Sequence, residues 1–307
     1  MIDYWFVIIN PTSGNGKSKK YISKILNIFK EEEVNFKYAI TQYANHEFKI
    51  AQEEIKKGVK KIISVGGDGT LHNIINGIFN QSIIATSEIK IAVIPVGTGN
   101  DWVKNYGISK NIRKNIAIIK QENTTTQDIG KITYTKNNKV VYFNNLAGIG
   151  FDGHVVNAIN KYKKLGSLSY LIGVLTGFST YKSKQLKIEF NGLEIKVKSL
   201  MTLIGLCKYS GGGMQLTYNS NPNDGLFDIS IIKDLSLGIV LLNILKMYNG
   251  KIVNHSKVDT YKTKEISISI LDNSDIYMQA DGELLDTGNF KITLLSKAIQ
   301  VVILKIC

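Results

Sequence analysis

An α/β domain with a parallel sheet, followed by a mostly antiparallel β-sandwich, is the fold that this 307-residue sequence predicts. Three observations carry that expectation. The first part of the chain alternates strand-like and helix-like periods, and glycine turns close its strands. From about Asp128 the pattern changes to short strands joined by Asn-Gly or Asn-Asn turns. With 44% hydrophobic residues and a mean hydropathy of −0.01, the chain can bury a substantial core and is long enough for two domains. They are drawn at 1–128, rejoined by the segment 291–307, and at 129–290.

Taken in order, residues 4–9 form an apolar run that Asp3, Asn10 and Pro11 mark as a first strand rather than a signal peptide. A helix is predicted over 17–33, a strand over 36–41 and a helix over 47–57, closed by Gly58. The next strand, Ile62 to Val65, stops on Gly66, Gly67, Asp68, Gly69 and Thr70, and Leu71, Ile74, Ile75 and Ile78 then recur at helical spacing. A strand over 91–96 ends in Gly97, Thr98, Gly99, Asn100 and Asp101. Such a βαβαβ series places ligands outside the carboxyl ends of the strands, where all these glycines fall. In the second domain, strands are predicted at 131–135, 140–144, 185–190, 193–197, 200–206, 227–232 and 266–271, interrupted by apolar helices at 168–178 and 237–248.

Composition narrows the function. The formal charge of +13 favours anionic partners, nucleic acid or acidic phospholipid. All but one of the 38 basic residues are lysine, Arg113 being the exception, which leaves little for bidentate reading of guanine and argues against nucleic acid. Two cysteines, Cys207 and Cys307, give neither a disulfide framework nor a zinc spacing, and a reducing cytosol is the expected compartment. The apolar stretches at 168–178 and 235–245 are too short to span a bilayer.

Chemistry concentrates in the glycine turns. Glycines let the backbone approach a bulky anion, and a helix N-terminus behind them supplies N–H groups, so Gly66 to Thr70 reads as a phosphate site. Asp68 would repel phosphate directly, which points to a bridging Mg²⁺ or an activated hydroxyl nearby. Asn10, Pro11, Thr12, Ser13 and Gly14 open the first helix as a second phosphate-facing loop; Pro11 stands where a P-loop needs glycine. Gly97 to Asp101 repeats the device. Gly148, Gly150 and Gly153 match GxGxxG, but without a βαβ unit around them a dinucleotide site is rejected. Asn221 to Asp228 is an acidic turn entering a strand, whose spacing favours a hairpin over a metal loop, and Asp281, Gly282 and Glu283 sit in another turn.

In this order the motifs resemble those of the diacylglycerol kinase family of lipid kinases, over nearly the whole chain. The resemblance implies an NAD kinase/diacylglycerol kinase-like fold and an ATP-dependent transfer to a lipid hydroxyl, most simply that of diacylglycerol. It implies ATP bound by Asn10, Pro11, Thr12, Ser13, Gly14, Thr41, Gly66, Gly67, Asp68, Gly69, Thr70, Leu71, His72, Asn73, Gly97, Thr98, Gly99 and Asn100. Glu283 would be the general base, Asp68 and Asp101 would help place Mg²⁺ and phosphates, and Asp128 would join a nearby charge network. Asn221, Asp224 and Leu226, the last through its carbonyl, match the family's structural Mg²⁺ loop, although Asn221 is not a charged ligand.

NAD kinase shares the Gly-Gly-Asp-Gly-Thr motif, but the Asn-Glu dipeptide expected there is absent; a non-catalytic lipid- or nucleotide-binding regulator is disfavoured by Asp68, Asp101 and Glu283. The expected partners are a membrane lipid and, transiently, the anionic inner face of the membrane, on which a cytoplasmic protein would act peripherally. Lys161, Lys163 and Lys164, an apolar segment at 165–178, and Lys182 and Lys184 suit that contact, as they suit a buried helix with solvated flanks. A homodimer is compatible with the sequence, which offers no readable interface.

Overall fold

The computed structural model describes residues 3–97, 99–162, 181–272 and 276–304. The chain divides into two units, Met1–Asp128 with Ser296–Cys307, and Ile129–Leu295.

The first unit is a parallel sheet covered by helices. Its strands are β1 (Trp5–Ile9), β2 (Phe36–Ile40), β3 (Lys61–Gly66) and β4 (Lys90–Pro95), in the spatial order β2, β1, β3, β4. Beyond β4, Gln300 and Val301, from the end of a strand spanning Phe290–Val302, add a parallel edge through Lys90 and Ile91. The central strands read as near-continuous apolar runs because both faces are covered: all five residues of β1 are buried. On one face Val7, Ile9, Ile63, Val65 and Ile94 pack against Ile25, Ile28 and Phe29 of α1 (Lys17–Glu31) and Ile116 and Ile119 of α5 (Ile112–Gln121). The other helices are α2 (His46–Lys56), α3 (Asp68–Phe79) and the short α4 (Asp101–Asn105). Helices α2 and α3 cross closely at Gly77, where a Cβ would stand 2.6 Å from the Phe48 carbonyl oxygen.

The second unit is antiparallel. It begins within β5 (Thr124–Tyr134), which pairs with β6 (Val140–Phe143), and continues with β7 (Leu146–Gly150) and helix α6 (Phe151–Tyr162). Strands β8 (Lys184–Phe190), β9 (Leu193–Gly205), β10 (Phe227–Lys233), β11 (Val258–Thr263) and β12 (Glu265–Ile270) follow, with β13 (Met278–Ala280), β14 (Glu283–Leu285) and β15 (Phe290–Val302) completing the set. The centre is β9, whose first half pairs with β8 and whose second half lies between β7 and β10. Between β10 and β11, helices α7 (Leu237–Leu242) and α8 (Ile244–Tyr248) follow one another with only Asn243 between them.

Two elements correct the sequence expectation. The strands predicted at 193–197 and 200–206 are one strand, β9, in which alternation gives way to a run buried on both sides at Ser199. The helix predicted over 237–248 is broken at Asn243, whose buried side chain donates from Nδ2 to the Ile239 carbonyl oxygen at 2.8 Å. The segment Gly148 to Gly153 does form a strand and a helix, β7 and α6, but β7 pairs antiparallel with β9 and β13, so there is no βαβ crossover there. The helix predicted at 168–178 lies outside the described residues.

Candidate active site

In the first unit three loops meet at the carboxyl ends of β1, β3 and β4. Their glycines are required by how closely the backbones approach. A Cβ on Gly97 would stand 2.9 Å from Gly67 Cα, and one on Gly14 would stand 2.9 Å from the Val96 carbonyl oxygen. Gly14 is also left-handed, with φ +63°. Gly66 makes room for a side chain: a Cβ there would meet Thr70 Oγ1 at 2.4 Å.

That hydroxyl ties two of the loops together. Asn10 Nδ2 donates to Thr70 Oγ1 at 3.0 Å, and Ser13 Oγ lies 3.2 Å from the same atom. Asn10 Oδ1 accepts the Thr12 backbone N–H at 2.9 Å and the Thr12 hydroxyl at 2.8 Å. Asn10, Thr12, Ser13 and Thr70 are thus one cluster at the N-terminus of α3. Thr41 is buried at the end of β2, its N–H bonded to the Ile9 carbonyl at 2.9 Å, beside the start of the first loop.

Asp68 opens α3, yet its side chain serves another helix. Oδ2 accepts the N–H of Asp101 at 3.0 Å and Oδ1 that of Trp102 at 3.3 Å, so Asp68 caps α4. The residue before α4, Asn100, is left-handed and makes no side-chain cap of its own; its Nδ2 donates to the Gly97 carbonyl oxygen at 2.8 Å. Asp101 is buried and holds Lys104 Nζ at 2.6 Å. Gln127 Oε1 accepts both Trp102 Nε1 (3.0 Å) and the Tyr106 hydroxyl (2.7 Å), and Asp128 Oδ1 accepts the Lys297 N–H at 2.6 Å.

The remaining residues expected at a nucleotide are placed as follows in the first unit. Leu71 and His72 are buried, and the Leu71 N–H is spent on the Gly67 carbonyl, so their side chains face the core. Pro11 is partly buried in the first loop, Gly69 lies in the first turn of α3, and Gly99 approaches Asp68 Oδ2. Thr98 lies outside the described residues.

Glu47 is a site residue that the sequence reading missed. It is buried in the first turn of α2, accepting Asn10 Nδ2 at 2.8 Å on Oε1 and Asn73 Nδ2 at 3.4 Å on Oε2. Burial raises its carboxyl above the usual range, against hydrogen bonds from its own amide, Asn73 and Asn10 that lower it. A signal was available. Residues 47, 50, 51, 54 and 55 make the buried stripe of α2, and a carboxylate on such a stripe needs polar partners.

In the second unit, Asp281 and Gly282 are the two loop residues of the β13–β14 hairpin, both left-handed as a type I′ turn requires. The Asp281 carboxylate accepts the N–H groups of Asn144 (3.1 Å), Asn145 (2.8 Å) and Leu146 (3.2 Å). Gly282 N–H donates to Gln279 Oε1 at 2.8 Å, and Gln279 Nε2 donates to Asp152. The turn is therefore rigidly held, and exposed Glu283, paired with Ala280, projects from it.

The loop from Asn221 to Leu226 is also in this unit. Asn221 Oδ1 accepts the Asn223 N–H, and Asp224 Oδ1 accepts that of Leu226 at 3.0 Å. Asp224 Oδ2 holds Lys262 Nζ at 3.0 Å, and buried Asp228 lies 3.4 Å from the same ammonium. Burial pushes the Asp228 carboxyl up to about 6, Lys262 acting against it. A divalent ion held by the oxygens of Asn221, Asp224 and the Leu226 carbonyl would share the Asp224 carboxylate with the Lys262 ammonium.

Among the described residues no group of three or more His, Cys, Asp or Glu side chains could hold a metal. The hydroxyl and carboxylate cluster of the first unit does fit a magnesium-bound polyphosphate, since such an ion keeps several waters and takes only one or two protein carboxylates. Asp68 and Asp101 would supply them, and the Thr12, Ser13 and Thr70 hydroxyls would face phosphate oxygens.

Comparison with known proteins follows the two units. Residues 4–132 match the diacylglycerol kinase catalytic domain, and 145–303 match the YegS C-terminal NAD kinase beta sandwich-like domain. A diacylglycerol kinase of Staphylococcus aureus is 30% identical over 90% of this chain and 85% of its own. One of Mycobacterium tuberculosis is 26% identical over 96% and 93%. A solved diacylglycerol kinase structure from Bacillus anthracis superposes with a TM-score of 0.73 over 98% of this chain and 97% of that one; at 23% identity it shows the fold.

Proposed function

The chain belongs to the diacylglycerol kinase family, and on that premise we propose that it transfers the γ-phosphoryl group of ATP to the free hydroxyl of diacylglycerol, giving phosphatidic acid. The observation that carries this reading is the convergence of the three glycine loops on the Asn10, Ser13 and Thr70 cluster, with Asp68 fixed beside it. Phosphoryl transfer asks a protein mainly for positioning and charge neutralisation, and preformed amides and hydroxyls give both. Magnesium, when bound, neutralises charge on the phosphates.

The remaining requirement is a base at the acceptor. Glu283 is exposed at the tip of a turn held by the Asp281 and Gln279 hydrogen bonds. Its carboxylate takes the acceptor's proton as the hydroxyl oxygen bonds to the γ-phosphorus, and the bond to the β–γ bridging oxygen breaks to release ADP. Such a base contributes on the order of 10²- to 10⁴-fold.

The test is transfer of radiolabel from ATP to diacylglycerol, phosphatidylglycerol, ceramide, sphingosine or NAD. Label in phosphatidic acid, with turnover falling by about 10²-fold or more in Glu283→Gln while fold and ATP binding persist, is the expected result. Label in NADP would replace the reading with an NAD kinase, and near-normal turnover in Glu283→Gln would remove the base.

A further inference from the structure

We propose that the α7–α8 segment is the face by which this chain docks on an anionic phospholipid surface, an inference that rests on the lipid-acceptor reading above. The segment has two apolar faces. Ile239, Val240 and Met247 are spent on the core of the second unit, against a cluster containing Leu216, Ile252 and Val253. The opposite face carries Leu241, Leu242, Leu245 and Tyr248, of which Leu242 is 85% and Leu245 78% exposed.

These leucines do not belong to a frayed end. Gln215 fixes the end of α8 twice, its N–H donating to the Met247 carbonyl at 2.7 Å and its Nε2 to the Tyr248 carbonyl at 2.8 Å. Asn243 fixes the break between the helices. A rigid element that holds large aliphatic side chains in water marks an interaction surface.

Charge selects the occupant. Between Asp234 and Asp259 the sequence has no carboxylate, while Lys246 lies within α8 next to Leu245 and Lys251 and Lys257 follow within twelve residues, all three exposed. Exposed leucines on a segment whose only charges are lysines suit the boundary between acyl chains and anionic headgroups. Each lysine close to such a surface is worth roughly fivefold in binding.

Flotation of the full chain with phosphatidylglycerol-containing vesicles and with pure phosphatidylcholine vesicles tests the proposal. Wild type should float with the anionic vesicles, and Leu242→Glu with Leu245→Glu should weaken that binding at least tenfold. Lys246→Glu with Lys251→Glu should abolish the preference for anionic lipid. Both double variants should phosphorylate detergent-dispersed diacylglycerol at the wild-type rate and lose activity only on vesicle-embedded substrate. Vesicle binding unchanged in the leucine variant overturns the docking face, as does a wild-type dimer in sedimentation velocity that this variant dissociates while still binding vesicles. Wild type inactive on detergent-dispersed diacylglycerol would instead overturn the lipid-kinase reading, which flotation does not measure.

Discussion

Asp68 caps a helix to which it does not belong: its Oδ2 accepts the backbone N–H of Asp101 at 3.0 Å. The acid inside the glycine turn therefore aligns two of the glycine loops. Asp68→Asn keeps one acceptor but brings an amide N–H against the other backbone N–H. The expected result is a stability loss of about 1–2 kcal/mol by urea titration, with phosphoryl transfer nearly abolished. A variant of undiminished activity would show that Asp68 is a cap and nothing more.

Glu47 orients Asn10, and its effect should be on ATP affinity. In Glu47→Gln an oxygen can still accept from Asn10 Nδ2, so the KM for ATP should stay near wild type. Glu47→Ala removes the acceptor, and the KM should rise about tenfold, the equivalent of one hydrogen bond of about 1.4 kcal/mol. Because burial raises the Glu47 carboxyl, any stability it contributes is present at low pH and declines as pH rises through its folded value. Glu47→Gln should flatten that part of a Tm-against-pH curve. Equal KM values in the two variants would discount the positioning role.

Removing Asp281 separates scaffold from base. Asp281→Ala leaves the buried amides of Asn144, Asn145 and Leu146 without their acceptor, at a cost of about 3–5 kcal/mol. Glu283→Gln should leave urea stability within about 0.5 kcal/mol of wild type while turnover falls. If both variants unfold alike, the division of labour within the turn is wrong.

Lys262 gives the Asn221 to Asp228 loop a cation of its own, paired with Asp224 and Asp228. Wild-type Tm should be the same in EDTA as in Mg²⁺. Lys262→Met strands two carboxylates and should cost about 1–3 kcal/mol, part of which Mg²⁺ restores. With the Asp228 carboxyl pushed up to about 6 against 3.8 unfolded, its contribution is full below about 4 and is lost as pH rises through 6. Removing the ammonium that lowers it should extend that loss to higher pH. A wild-type Tm that falls in EDTA would support the metal expectation.

The first unit was legible in the sequence because its central strands β1, β3 and β4 are buried on both faces and so read as unbroken apolar runs, each followed by a glycine-containing loop. The predicted strand at 62–65 and the helix carrying Leu71, Ile74, Ile75 and Ile78 correspond to β3 and α3. The second unit was harder. Strand β11 has only Val258 and Thr263 buried, with exposed Thr260 and Lys262 alternating with half-buried Asp259 and Tyr261, and β13 and β14 have three residues each, too short for any period to show. Within the site, the glycine loops announced themselves. The partners of their side chains did not: that Asp68 reaches Asp101 and Trp102, or that Glu47 reaches Asn10, depends on pairings 33 to 37 residues apart that no local pattern encodes.

The edge strand contributed by residues 296–302 ties the assembly of the first unit to the order of synthesis. On the ribosome the first 128 residues emerge early, yet the open side of β4 at Lys90 and Ile91 has no neighbour until Gln300 and Val301 have been made. The second unit, contiguous over 129–295, has all its residues sooner. For that interval the nascent chain carries an unpaired, aliphatic sheet edge, the kind of surface that invites intermolecular pairing and that chaperones guard.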